Sequence, residues 1–236
     1  MTENKPYIKL KNGEIIKAGD SKKIFNGELT IQMFSYGYDI ASRTSIINHL
    51  IQKYKLSKYL EIGVRKGENF NKINVNFKVG VDPNPLFENK NLFKEKSDDF
   101  FKLNKNTFDI IFIDGLHLEN QVDKDIKNSL KCLSKNGFIL LHDCNPPSEF
   151  HQRENYEIDG EFPAWNGTVW KSFAKLRMFD SSLSLSCINC DWGIGIIKKK
   201  KSKLHNYDGK LLYEYLEKNR QDLLNLISVK KFIEIY

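Results

Sequence analysis

Tyr59-Leu60-Glu61-Ile62-Gly63-Val64-Arg65-Lys66-Gly67 decides how this chain is read. A short apolar run carries one acid and is followed by two glycines four apart. Glycine lets the backbone turn sharply and lets a ligand approach closely. The stretch reads as a buried strand feeding a tight turn that opens a helix, whose first N–H groups have no partner inside the helix. Lys78-Val79-Gly80-Val81-Asp82 follows as a second strand ending in a carboxylate. In a doubly wound α/β sheet both strand ends lie at one edge, beside the topological switch point. Asp82 is therefore placed to accept bonds from ribose hydroxyls.

The rest of the chain extends this pattern. Ser42 to Lys55 has an apolar stripe at helical spacing, Ile46, Ile47, Leu50, Ile51 and Tyr54. Asn91 to Lys96 reads as a third strand. Ser97 and Asp98 follow it, where a helix cap and a nucleobase edge would coincide. Phe108 to Asp114 is a continuous apolar strand of the buried kind, and Glu119 to Leu133 a helix. Phe138-Ile139-Leu140-Leu141-His142-Asp143 is a fifth strand ending in polar residues. Ser182 to Cys187 and Gly193 to Lys198 read as an antiparallel final pair, and Asp208 to Tyr236 as a helical tail. Near the start, Asn12-Gly13 between two alternating runs signals a hairpin, and Leu29 to Gln32 a further short strand. The expected architecture is α/β: a doubly wound, mostly parallel seven-stranded sheet with an N-terminal β extension (residues 1–40) and C-terminal helices, residues 41–236 forming the main domain.

The chain has 236 residues, 40% of them hydrophobic and 12% aromatic, enough for a real core and unlike a disordered chain. No apolar run approaches the roughly 20 residues of a membrane span. The first residues lack the apolar segment of a signal peptide, so the expected location is cytoplasmic. The formal charge of +7 comes from lysines spread along the whole chain. It calls for no nucleic-acid partner. Cys187 and Cys190 form a single CxxC with no second pair, weak evidence for zinc; small side chains at a strand end explain it as well.

The order of elements resembles that of the Rossmann-like (class I) S-adenosylmethionine-dependent methyltransferases. Their first motif, acidic-x-Gly-x-Gly-x-Gly, is met by Glu61, Gly63 and Gly67, with Arg65 in place of the middle glycine. The resemblance implies that Glu61, Gly63 and Gly67 line the methionine portion of the cofactor. Asp82 would hold its ribose, and Ser97 and Asp98 would lie near adenine. Asp114 borders both cofactor and acceptor and belongs to both sets. A nicotinamide-dependent oxidoreductase is the alternative of a different class. Glu61 speaks against it, because an acid at that turn repels a pyrophosphate.

Phe112 to His117, Leu140 to Pro147, Trp165 to Lys171 and Asn219 to Ser228 resemble a small bacterial group of these enzymes associated with sugar and surface-polysaccharide biosynthesis. That resemblance implies methyl transfer to a hydroxyl of a sugar or related intermediate in capsule or lipopolysaccharide biosynthesis. A phosphate-bearing or other small metabolite is the alternative acceptor. Asp114 and Asp143 stand where related enzymes hold a divalent metal, so Mg²⁺ is one expected cofactor. In the metal-free reading His117 or His142 is the general base. The polar stretch from Ser148 to Asn166 reads as an acceptor lid. Trp165 and Trp170 beside it are candidates for stacking on a sugar or for packing at its hinge. The β extension and the aromatic C-terminus, Phe232 to Tyr236, are candidate surfaces for a homodimer.

Overall fold

The computed structural model describes residues 7–9, 15–17, 36–207 and 209–236. In chain order the elements are β1 (Tyr7–Lys9), β2 (Ile15–Lys17), α1 (Arg43–Tyr54), β3 (Lys58–Ile62), β4 (Phe77–Val81), β5 (Leu92–Phe93), α2 (Ser97–Leu103) and β6 (Phe108–Ile113). Then come α3 (Glu119–Cys132), β7 (Leu133–Leu141), α4 (Val169–Phe179), β8 (Ser184–Ile188), β9 (Ile194–Lys198), α5 (Tyr213–Leu223), β10 (Leu226–Ile227) and α6 (Val229–Ile235). β1 and β2 pair antiparallel, with Ile8 opposite Ile16. The strand expected at Leu29 to Gln32 lies outside the described residues.

The main sheet has eight strands in the order β10-β8-β9-β7-β6-β3-β4-β5. β3, β4, β6 and β7 run parallel, while β9 is antiparallel to both β7 and β8. Chain order reverses between β3 and β6, so the crevice beyond their C-terminal ends is the place for a ligand.

Side chains of β6 show why its sequence is apolar apart from Asp109 near its start, which accepts the Ser57 and Lys58 N–H groups. Phe108, Ile111 and Ile113 join the layer packed by α2, α3, α4 and α5. Ile110 and Phe112 point the other way, into the layer packed by α1 and α6. From Ile110 on, the strand is covered on both faces and leaves no position for a solvated residue. In β3 the same alternation sends Leu60 and Ile62 to the first layer, and Tyr59 and Glu61 to the second. Glu61 thus enters a hydrophobic layer by register.

Two expectations need correction. The turn after Gly63 does not open an α-helix: only a 3-10 turn, Phe70–Lys72, forms before β4. The linking segment is rich in Asn, whose side chains compete for backbone groups. Asn48 Oδ1 accepts the Asn74 N–H at 2.9 Å, and Lys78 Nζ donates to the carbonyls of Phe70 and Ile73 at 2.7 and 3.1 Å. The tail is not helical throughout. Asn225 sits at φ 45°, and the chain then adds β10 parallel to β8, the eighth strand. Within α6, Phe232 and Tyr236 after it are buried in the α1 layer, Tyr236 lying 6.1 Å from the Phe138 ring, while Ile233 and Ile235 are exposed.

Candidate active site

Gly63 sits at φ +85°, and a Cβ there would lie 2.1 Å from the Asp114 carbonyl oxygen. The first loop and the exit of β6 are in backbone contact, and only glycine fits between them. Arg65 explains its own departure from the glycine motif. It takes the left-handed conformation, φ 40°, that a glycine would adopt, with its side chain exposed. Asp82 holds it there: Oδ2 accepts the N–H groups of Val64 and Arg65 at 3.0 and 2.8 Å, and Oδ1 that of Asn84 at 2.8 Å. Asp82 therefore shapes the turn first and has only its remaining lone pairs for a ribose.

Glu61 is 2% exposed. Its Oε2 accepts Tyr59 Oη at 2.5 Å and Asn69 Nδ2 at 3.0 Å. No cation among the described residues lies within ion-pair distance of it. Burial pushes its carboxyl up to about 8, against the opposing pull of those two hydrogen bonds.

Ser97 and Asp98 begin α2 and are tied to α3 by Gln121 Nε2, at 3.2 and 3.3 Å. Ser97 is not the helix cap. Lys96 holds that position, with no side-chain bond to the helix.

Beyond the ends of β6 and β7 the expected catalytic residues meet. His117 Nε2 lies 3.2 Å from Asp114 Oδ1, and its Nδ1 lies 3.2 Å from Asp143 Oδ2. His142 Nδ1 lies 2.8 Å from Asp143 Oδ2 and 3.1 Å from Asp114 Oδ1. The two histidines are not equivalent. Both have carboxylates at both ring nitrogens, but His142 is 4% exposed, its Nε2 facing Asp191 at 3.3 Å. His117 is 18% exposed and lies at the mouth. Burial alone would lower both imidazoles, but the carboxylates outweigh it and both are raised. Asp114 goes the other way: burial would raise it, while His142 and Arg43 hold it well below the usual carboxylate range.

Three residues of this cluster were invisible in the sequence reading. Arg43, at the start of α1, bonds Asp114 through Nη1 at 2.6 Å and Asp191 through Nη2 at 2.9 Å. Asp191 stands in the β8–β9 turn, where Asp191, Trp192 and Gly193 take φ values of 43°, 64° and 91° in succession. The third is Asn166, whose Nδ2 donates to Asp143 Oδ1 at 2.7 Å. The available signals were the Asp-Trp-Gly between two strands and the Trp-Asn-Gly-Thr before α4. Each reads locally as a turn.

The stretch from Ser148 to Asn166 is built around Arg153. Its guanidinium donates to the carbonyls of Phe150, Ala164 and Pro163, each at 2.9 Å, and of Tyr156 at 3.2 Å. Trp165 lies half-buried over His117, rings stacked at 4.9 Å. Trp170 is fully buried in the core and offers no face to a sugar. All four cysteines are free. The one group of metal-ligating side chains found among the described residues is Asp114, His117 and Asp143, with no cysteine in it.

Residues 60–144 match the sequence model of a family described as a methyltransferase domain. A search of curated proteins finds no match. Among solved structures, the SAH-bound methyltransferase PaMTH1 of Podospora anserina superposes with a TM-score of 0.55 at 18% identity, over 84% of this chain and 92% of that one. A candidate caffeoyl-CoA O-methyltransferase from Staphylococcus aureus gives 0.53 at 17% identity, over 75% and 94%. The α/β sheet described above is thus the Rossmann-like methyltransferase fold, with one strand more than the seven expected. No helix among the described residues is long and apolar enough to cross a membrane.

Proposed function

We propose that this chain, which carries a methyltransferase domain over residues 60–144, transfers the methyl group of S-adenosylmethionine to a hydroxyl of a sugar or related intermediate in bacterial surface-polysaccharide biosynthesis. One observation carries the reading. The glycine turn at Gly63 and the cluster of Asp114, His117 and Asp143 meet at one sheet edge, with Asp114 in backbone contact with the turn.

The donor half fits the cofactor. Glu61 is a buried acid beside the turn with no cation of its own, and a methionine ammonium would supply one. Asp82 has lone pairs for the ribose, and Ser97 and Asp98 stand at the third strand end for adenine. A dinucleotide fits less well. The turn opens no α-helix whose N-terminus would hold a pyrophosphate, and Glu61 would repel one.

The acceptor half has one task. The acceptor oxygen attacks the methyl carbon as the carbon–sulfur bond breaks, its electron pair passes to sulfur, and the hydroxyl proton goes to a base. His117 is the accessible imidazole and takes that role. Asp114 and Asp143 orient it and stabilise its charged form. His142, enclosed by three carboxylates, balances their charge. Asp114, His117 and Asp143 offer ligand atoms within 4.8 Å of one another, and the buried Asn166 Oδ1 lacks a partner among the described residues. In the alternative reading, where His117 is a ligand and not the base, this set fits a divalent cation. Such an ion would hold vicinal hydroxyls and lower the pKa of one.

Titration calorimetry with S-adenosylhomocysteine and with NAD⁺ tests the cofactor. Binding of the first alone is expected; binding of NAD⁺ alone would replace the reading with a dehydrogenase. Transfer of labelled methyl to a panel of glycosides and sugar nucleotides tests the acceptor. His117→Ala is expected to keep S-adenosylhomocysteine affinity and to lose about 10²–10⁴ in turnover.

A further inference from the structure

A row of rings runs from the reaction centre to the surface. His117 stacks on Trp165, Trp165 tilts against Tyr156 at 5.6 Å, and Tyr156 stacks on Phe162 at 5.3 Å and 25°. The inner rings are half-buried, but Tyr156 and Phe162 are 52% and 53% exposed. Scattered exposed aromatics are ordinary on a protein surface. These two are stacked, held in place, and continuous with the catalytic cluster. The four carbonyl bonds of Arg153 fix both ends of their turn, Trp165 Nε1 donates to the Arg153 carbonyl at 2.6 Å, and an Ile158–Glu161 bridge closes the tip. A surface so fixed loses little conformational entropy when a ligand lies on it. The carboxylates of Glu154, Glu157 and Asp159 stand exposed along the same turn.

We propose that Tyr156 and Phe162 form an outer acceptor subsite for an uncharged sugar ring, next to the ring that is methylated. The proposal rests on the sugar-hydroxyl reading and adds to it the size and charge of the acceptor. A pyranose has an apolar face of C–H bonds and a rim of hydroxyls. The face matches the stacked rings, and the rim matches acceptors such as carboxylates. A phosphate on this turn would meet three exposed carboxylates against one cation, Arg153, whose guanidinium already serves four backbone carbonyls. The acceptor therefore extends beyond one sugar, and the part on this turn carries no phosphate.

The test is binding, measured on the full chain by saturation-transfer NMR. The probes are cellobiose, lactose and di-N-acetylchitobiose, the matching monosaccharides, and glucose 1-phosphate. At least one disaccharide is expected to bind more tightly than its monosaccharides, by about tenfold. That advantage is expected to vanish in Tyr156→Ala/Phe162→Ala and to survive in Tyr156→Phe. Both side chains are half exposed and outside the core, so the melting temperature should fall only slightly. A double variant that keeps the preference overturns the proposal. So does a wild type that prefers no disaccharide, or that prefers the phosphorylated sugar. S-Adenosylhomocysteine binding, read in the same samples, separates the two readings. If it binds and no disaccharide is preferred, the subsite falls and the methyltransferase reading stands. If it fails to bind while the disaccharide preference tracks Tyr156 and Phe162, the methyltransferase reading falls and the sugar site stands.

Discussion

Arg43 Nη1 donates to Asp114 Oδ2 at 2.6 Å, and the other edge of the same guanidinium meets Asp191 through Nε at 3.0 Å and Nη2 at 2.9 Å. One planar cation joins the end of β6 to the β8–β9 turn. Only the guanidinium fork serves two carboxylates at once in this way. Arg43→Ala leaves both acids largely buried with one cation fewer, at a cost of about 3–5 kcal/mol. Arg43→Lys should fall between, since an ammonium pairs with one acid well and not both. Urea unfolding of the three proteins checks this. Equal stability of Arg43→Ala and wild type would show that the pair carries no structural role.

That arrangement marks what the sequence could and could not disclose. Asp82, Asp114, His142 and Asp143 stand at strand ends, and strands are legible from apolar runs, so their convergence followed from the topology. His117 came with them, three residues after Asp114. Arg43 gave no such signal. It sits on the polar side of an amphipathic helix, and its partners are 71 and 148 positions away. Asn166 and Asp191 were hidden for the same reason, each inside a stretch that reads locally as a turn. β10 is two residues long, too short for any periodicity to announce. Arg65 was the odd letter in the glycine motif. The motif asks for a conformation, and a non-glycine residue can supply it at a modest cost in strain.

Gly63 and Gly160 separate conformation from space. Both have positive φ, +85° and +78°. A Cβ at Gly160 meets nothing within 4 Å, whereas one at Gly63 lies 2.1 Å from a backbone oxygen. Gly160→Ala should lose only the left-handed penalty, about 1–2 kcal/mol. Gly63→Ala must also push β6 away from the first loop. It should lose clearly more stability, and cofactor affinity with it. Thermal melts and S-adenosylhomocysteine titrations of both variants decide the matter; equal losses would mean that the two loops do not touch.

Glu61 gives the protein a pH dependence of known sign. Its carboxyl is raised from 4.5 to about 8, so within that window the folded state holds a proton that the unfolded chain releases. Stability therefore falls as pH rises through the window. Glu61→Gln removes that slope and should match or exceed the wild type at the alkaline end. A bound methionine ammonium reverses the situation by favouring the carboxylate. Binding of S-adenosylhomocysteine near neutral pH should then release a proton in the wild type and none in Glu61→Gln. Calorimetry in buffers of different ionisation enthalpy measures this release. Equal proton counts in the two proteins would place the ammonium elsewhere.

The cluster of Asp114, His117 and Asp143 makes a last prediction about cations. Two carboxylates within 4.8 Å of an imidazole nitrogen attract either a proton or a metal ion. The carboxylates raise His117 above its ordinary 6.5 against the effect of burial, so below that raised value the imidazole is protonated and competes with a metal. A metal ligand must be deprotonated. Affinity for Mn²⁺ or Mg²⁺ should thus climb as pH rises through that raised value, with proton release on binding. The imidazole favours Mn²⁺ of the two, because carboxylate-only sets suit Mg²⁺ while nitrogen donors suit the transition ions. His117→Ala should flatten the pH dependence, and Asp143→Asn should weaken binding at every pH. Heat that does not vary with pH would remove His117 from the ligand set. No heat with either ion would leave the histidines and Arg43 as the only charges facing the acids.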